Sequence, residues 1–145
     1  MSDGFQVQLK IRKPVAEVFE AVVKPEALTR YFIDTSSGPL VPGATVTWRF
    51  AEVNEAFEVV VQEVVQNDRI VFDWPASGGY NTRVEMVFKA LADGATMVQI
   101  RETGWPETPE GATASHGNAG GWMHMLCCMK AYLEYGINLR AGGAY

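Results

Sequence analysis

The chain has 145 residues, 48% hydrophobic and 20% charged, as is ordinary for one globular domain. Its net charge of −5, with 12 Lys and Arg scattered along it, argues against nucleic acid or an anionic membrane as a partner. No apolar run approaches the ~20 residues of a membrane span, and the first residues lack a signal-peptide pattern. The two cysteines, Cys127 and Cys128, are adjacent, which fits a reducing cytoplasm. We therefore expect a single cytoplasmic domain over residues 1–145.

The first part of the chain predicts a strand followed by two short helices. Residues 5–11 alternate between apolar and polar, as in a half-buried strand. Pro14 stands where a helix can begin, because its missing N–H would be unpaired there anyway, and apolar residues follow at helical spacing. Pro25 ends that helix and opens a second one that ends near Phe32. Residues 34–43 are rich in turn formers and predict a loop.

From Val46 the apolar period becomes two, which predicts five further strands. Residues 56–65 are apolar enough for a strand in either register, so the side that faces inward stays open. Asp93-Gly94 is the strongest hairpin signal, and the last strand continues beyond it. The inward-facing residues of the two strands before that hairpin are Ile70, Phe72 and Trp74, then Thr82, Val84, Met86 and Phe88.

Residues 121–136 predict one long C-terminal helix, preceded by a loop over residues 105–120 that is rich in Pro and Gly. Trp122, Leu126 and Met129 are spaced four and three apart, which places them on one helical face. Hairpin-length connections between strands indicate an α+β fold rather than a doubly wound one. We expect a curved antiparallel sheet of about six strands, its first strand beside its last, wrapped around this helix. Such an architecture tends to enclose a cavity for an apolar molecule.

These elements resemble the START-like, birch-pollen-allergen-type (SRPBCC) superfamily with the helix-grip fold, and within it the family named after the activator of the heat-shock protein 90 ATPase. The segments that carry the resemblance are KPVAEVFEAVVKPEALTRYF, GPLVPGATVTWRF, RIVFDW, and GW followed by LCCMKAYLEYG. The resemblance implies a protein of stress or resistance type that binds a hydrophobic molecule such as a lipid or polyketide, or else a co-chaperone. True ATPase activators of this kind carry an additional N-terminal domain, whereas the first strand here is predicted at Phe5. Tyr31 stands where relatives often carry Trp, which would widen or repolarise one end of the cavity.

Glu102 is the polar residue that the strand pattern turns inward, because Val98 and Ile100 on the same register face the core. A carboxylate there could hydrogen-bond a ligand or serve as an acid or base. If it anchors a ligand, Glu102→Gln should change ligand affinity and leave stability unaltered or improved, since an ionised group would no longer be desolvated. Alternatively it lies at the rim, in water or paired with Arg49 or Arg83. Strand ends usually reach water, which favours the rim.

Aromatic side chains supply a large surface that suits a flat apolar ligand, although part of it must be plain core packing. Trp105 and Trp122 are expected near the cavity mouth. The predicted ligand-binding residues are Tyr31, Trp48, Phe72, Trp74, Tyr80, Met86, Phe88, Glu102, Trp105, Trp122, Leu126 and Met129.

Other chemistry has weaker support in the sequence. His116, in the predicted loop, could act as a general base, although an exposed loop histidine is commoner. His124 and Cys128 lie one helical turn apart, but two ligands do not make a stable zinc site, so we predict no metal and no cofactor. Motifs for a nucleophile elbow, a phosphate loop or a dinucleotide site are absent from the sequence.

We therefore expect a binding protein for an apolar or aromatic small molecule. The alternatives are an enzyme of the same fold, of cyclase or hydrolase type, using Glu102 with Tyr80 or His116, and a chaperone ATPase cofactor. The far side of the C-terminal helix predicts a homodimer, unless the N-terminal helices or the loop over residues 34–43 cover it within one chain. That outward strip consists of His124, Cys127, Cys128, Ala131 and Tyr135.

Overall fold

The sheet of this protein is antiparallel and curved, and a long C-terminal helix lies across its concave face. A computed structural model describes residues 4–143, and within them seven strands pair in the order β1-β7-β6-β5-β4-β3-β2. The elements are β1 (Phe5–Ile11), α1 (Val15–Val23), α2 (Pro25–Leu28), β2 (Thr35–Ser36), β3 (Thr45–Arg49), β4 (Ala56–Val65), β5 (Arg69–Pro75), β6 (Asn81–Ala90), β7 (Thr96–Thr103), α3 (Pro109–Tyr135) and a final 3₁₀ turn (Arg140–Gly142). The predicted α+β helix-grip fold is confirmed, including the pairing of β1 with β7. No helix among the described residues is long and apolar enough to cross a bilayer.

The sheet has seven strands rather than the predicted six because of β2, which lies in the segment predicted to be a loop. Its two residues pair with Arg49 and Trp48 at the end of β3. A strand of two residues has no period, so no alternation could reveal it. Helix α2 is also shorter than predicted and ends at Leu28, and hydrogen-bonded turns then carry the chain to Phe32.

Strand β4 contains a register shift between Val61 and Glu63. Val59 and Val61 face the core before this bulge, and Val64 packs against the core after it. A bulge inserts one residue and so exchanges the two faces of a strand. This explains why residues 56–65 fit both registers of the sequence pattern.

Helix α3 begins at Pro109, twelve residues before the predicted start, so the prediction of a loop through Gly120 is wrong. The Thr108 side chain caps the helix by accepting a hydrogen bond from the Gly111 N–H at 3.0 Å. Proline at the first helical position and Glu110 in the first turn complete a usual helix start. The glycines that follow are weak helix formers and hid these signals.

The C-terminal half of α3 is buried on two sides rather than one. Cys128 is 0% exposed and belongs to the core, and the ring of Tyr132 stacks on Tyr31 at 5.8 Å between centroids. Cys128 was therefore wrongly placed on the outward strip, because the segment after α2 covers that part of the helix within the chain. Cys127 and Tyr135 are exposed.

The end of α3 is tied through Glu134 to Arg12, the residue directly after β1. Its carboxylate accepts hydrogen bonds from the backbone N–H and the guanidinium of Arg12, at 2.8 and 2.7 Å, and from Lys130 Nζ at 2.6 Å. Burial alone would raise the pKa of Glu134, but these three donors outweigh it and lower the pKa to about 2. The contact fixes how the helix lies across the sheet.

Candidate ligand-binding site

A cavity of about 260 Å³ opens where the ends of β3 and β5 meet the middle of α3. Four aromatic side chains form most of its wall, and the backbone of α3 forms another side. Glu52 and Arg140 close the outer side. The lining residues are Phe32, Phe50, Glu52, Trp74, Gly117, Asn118, Gly121, Trp122, His124 and Arg140.

The aromatic rings of the wall are in mutual contact. Trp74 and Trp122 lie 5.3 Å apart between centroids with their planes at 36°. Phe32 lies 5.4 Å from Trp122 and 5.2 Å from Phe50. Rings packed in this way form a continuous apolar surface on which a flat molecule can lie.

The carboxylate of Glu102 lies behind this wall and is 0% exposed. Its Oε1 accepts a hydrogen bond from Trp122 Nε1 at 2.8 Å. Its Oε2 accepts from Trp74 Nε1 at 2.9 Å and from Thr82 Oγ1 at 2.5 Å. Asn118 Nδ2 is 3.1 Å from both oxygens. Both tryptophans of the wall are thus held by one buried group.

The placement of Glu102 at a solvated rim, which strand geometry favoured, is therefore wrong. Arg83 instead pairs with Asp73 at 2.8 Å, and no salt bridge to Glu102 occurs within residues 4–143. Indole N–H groups donate and cannot accept, which suits a carboxylate because it only accepts. The long α3 covers the strand end, and this covering keeps water from Glu102.

Charged side chains close the outer side of the cavity. Arg140 pairs with Glu52, and its Nη1 lies 3.4 Å from Nδ1 of His124. The guanidinium carbon of Arg140 is 5.9 Å from the centroid of the Phe32 ring, within reach of a cation–π contact. The residues after α3 therefore pack against the site.

Two further cavities adjoin the first. One, of about 530 Å³, shares Phe50, Trp74 and Asn118 with it and is also lined by Trp105. The other, of about 210 Å³, is lined by Tyr31, whose hydroxyl donates to the Ala21 carbonyl at 2.9 Å. Burial raises the pKa of the Tyr31 phenol well above its usual value. Four of the predicted ligand-binding residues thus line at least one of these cavities: Tyr31, Trp74, Trp105 and Trp122.

Most other predicted ligand-binding residues pack in the core and line none of these three cavities. The six in the core are Trp48, Phe72, Met86, Phe88, Leu126 and Met129, each no more than 3% exposed. Tyr80 is half-buried in the turn between β5 and β6. Within the described residues, Trp48 Nε1 is a buried donor without a hydrogen-bond partner. Whether these side chains contact a ligand stays a prediction.

The histidines and cysteines are not brought together with Glu102. His116 is exposed on α3 rather than in a loop, and no hydrogen bond joins Glu102 to His116 or Tyr80 in the described part of the chain. Cys128 Sγ lies 3.5 Å from His124 Nε2, and burial raises the pKa of the thiol. No group of three or more metal-binding side chains occurs within residues 4–143.

Eight of the lining residues were not predicted from the sequence, and two of them lie in a segment that was predicted to be a loop. Gly117 and Asn118 fall in the stretch wrongly predicted to precede α3. Gly117 and Gly121 are four apart, which places both on one side of the helix. That spacing was the available signal, but it carries meaning only once the helix is recognised.

The family model described as "Activator of Hsp90 ATPase homolog 1-like protein" matches residues 12–134. The crystal structure of SSP2350 from Staphylococcus saprophyticus is 29% identical, with a TM-score of 0.77 over 92% of this chain and 95% of that one. DynU16, from the dynemicin biosynthetic locus, is 28% identical, with a TM-score of 0.81 over 94% of this chain and 49% of its own. This chain therefore spans about half the length of DynU16.

A third structure, the Aha1 dimer from Colwellia psychrerythraea, shares the fold at 19% identity, with a TM-score of 0.79 over 94% of this chain and 98% of that one. No curated protein sequence matches the chain. The family model covers all the elements from α1 through β7 and nearly all of α3. The chain therefore belongs to the family of Activator of Hsp90 ATPase homolog 1-like proteins.

Proposed function

We propose that this protein binds a small aromatic or otherwise hydrophobic molecule in the cavity between the ends of β3 and β5 and helix α3. The observation that carries the proposal is the wall itself, in which four aromatic side chains lie around two positions of α3 that have no side chain, Gly117 and Gly121. Apolar cavities with a few polar groups are the usual form of small-molecule sites. The volume of about 260 Å³ suits a ligand of two or three rings.

The glycines on the helix side support this proposal. A glycine inside a helix costs ~1 kcal/mol relative to alanine. A Cβ added at Gly117 or Gly121 would meet no atom within 4 Å, so packing within the described chain does not require either glycine. The empty space over the helix is what a bound molecule would need. DynU16, the relative from a biosynthetic locus, agrees with a small-molecule ligand.

The test compares two leucine substitutions on the same helix. Gly121→Leu fills the cavity, whereas Gly120→Leu is the matched control, because Gly120 is exposed, has open space around it and does not line the cavity. The probe is 8-anilinonaphthalene-1-sulfonate, whose fluorescence rises in apolar surroundings. We expect low-micromolar or weaker binding, weakened about tenfold or more by Gly121→Leu, which corresponds to about 1.4 kcal/mol. Equal affinity in the two variants would contradict the proposal.

We also infer that the protein is a cytoplasmic homodimer. Both cysteines are free thiols, which agrees with a reducing compartment. Tyr135 and Ile137, at the end of α3 and just beyond it, are 61% and 51% exposed, and such apolar exposure is typical of contact surfaces. The Colwellia relative was solved as a dimer, which supports a second copy of this chain as the occupant.

A further inference from the structure

Asn118 is the polar side chain placed between the aromatic wall and the glycines. It lies on α3 directly after Gly117 and one turn before Gly121, and it lines both the 260 Å³ and the 530 Å³ cavities. Neither glycine carries a side chain that could shield it, and a Cβ at either would meet open space. Asn118 is therefore within reach of a molecule lying against this part of the helix.

The orientation of the Asn118 amide follows from its partner. The side-chain nitrogen lies 3.1 Å from both oxygens of Glu102. A carboxylate only accepts hydrogen bonds, so the NH₂ group, and not the carbonyl, must face Glu102. The carbonyl oxygen Oδ1 is left on the other side, and it accepts no hydrogen bond within residues 4–143.

The other polar atoms of the wall are already engaged. The N–H groups of Trp74 and Trp122 donate to Glu102, so both rings offer a ligand only their carbon surfaces. Arg140 and Glu52 are paired with each other at the outer side, and the two ring nitrogens of His124 lie next to Cys128 Sγ and Arg140 Nη1. Beside the rings of Trp74 and Trp122, the polar atom left to a ligand is thus an acceptor, the carbonyl oxygen of Asn118.

We propose that the ligand is an aromatic molecule carrying a hydrogen-bond donor, a ring N–H or hydroxyl, which donates to Oδ1 of Asn118 while its ring lies on Trp74 and Trp122. This inference rests on the function proposed above and narrows its ligand class. Glu102 is then a positioning residue. It fixes the amide and both indoles but does not touch the ligand.

Indole and benzothiophene test the proposal, because they have nearly the same shape and only indole carries an N–H donor. Their dissociation constants are measured by titration of ¹⁵N-labelled protein, followed through the indole N–H signals of the tryptophans. Asn118→Leu removes the acceptor at similar volume, and Asn118→Ala is the second variant. The measured quantity is the ratio of the benzothiophene constant to the indole constant. Both variants lose one neutral hydrogen bond to indole, which is worth about 1 kcal/mol. We therefore expect this ratio to be about fivefold lower in the variants than in the parent.

The outcomes separate the two proposals. If both probes bind and the ratio is the same in the parent and the variants, the role of Asn118 is refuted while the cavity remains a binding site. If neither probe binds the parent, both proposals fail. Should the variants not fold, the carbonyl ¹³C signal of Asn118 in the parent decides. We expect indole to shift it more than benzothiophene does, and equal shifts would overturn the inference.

Discussion

Replacement of Glu102 by glutamine is the sharpest perturbation of this site. The substitution exchanges one acceptor oxygen for an NH₂ donor and leaves the shape unchanged. Oε1 accepts from Trp122 and Oε2 from Trp74, so in either orientation the new NH₂ group faces an indole N–H. Two donors cannot bond to each other, and an indole nitrogen cannot accept. One tryptophan N–H therefore loses its partner inside a buried site.

The size of the expected stability loss follows from the hydrogen bonds that Glu102 accepts. A buried donor left unsatisfied costs about 1–3 kcal/mol, and hydrogen bonds to a charged group are worth about 1.5–3 kcal/mol each. Removing the desolvated charge offsets part of this loss. Thr82 can turn its hydroxyl to accept, whereas neither indole can. We expect Glu102→Gln to lower the free energy of unfolding by about 2 kcal/mol.

The assay is urea unfolding followed by tryptophan fluorescence and circular dichroism. Glu85→Gln is the matched control, since Glu85 lies on a neighbouring strand and faces its partner Arg69 at the surface, at 3.7 Å. Such a surface change should stay within about 0.5 kcal/mol. The indole N–H signals of Trp74 and Trp122 should also move in Glu102→Gln and not in the control. Unchanged or increased stability of Glu102→Gln would refute the described set of four donors.

Four further predictions concern α3 and the residues that contact or follow its end. The ionised Glu134 stabilises the fold fully above its ordinary pKa of 4.5 and loses that effect as the pH falls towards 2. Between these pH values the free energy of unfolding of the parent should fall by up to about 3 kcal/mol through Glu134. Glu134→Gln should show a smaller fall. Arg12→Ala should reduce the same dependence partly, because Lys130 remains as a partner. Gly121→Ala should raise the free energy of unfolding by about 0.5–1 kcal/mol, measured by urea unfolding, since the new methyl group meets nothing. Ile137→Glu should shift a sedimenting dimer to monomer at tens of micromolar, and a parent that is already monomeric ends the dimer proposal.

The strands other than β2 were predictable because each buries apolar side chains in the core between the sheet and the helices. Residues 70, 72 and 74 on β5 and residues 82, 84, 86 and 88 on β6 face inward as their alternation indicated. The start of α3 was also present in the sequence, as a capping threonine followed by a proline and a glutamate. The glycines that follow this helix start favour a loop, and the sequence prediction followed them. In the folded chain, tertiary packing commonly overrides weak helix propensity. Periodicity of the apolar residues thus predicted the fold, but it did not predict where α3 begins.

The candidate site was less accessible to the same reasoning, and Glu102 shows why. Alternation alone turns it inward, but its hydrogen bonds come from Trp74, Thr82, Asn118 and Trp122, which lie 16 to 28 residues away along the chain. Asn118 and Trp122 reach it only because α3 begins at Pro109 and runs over the end of β7. Without that helix the carboxylate would be at a solvated strand end, and Glu102→Gln would cost little. From the sequence, Glu102→Gln is expected to leave the stability unaltered or to improve it, whereas the four donors predict a loss of stability. The measured change in the free energy of unfolding therefore tests the position of α3 over the cavity.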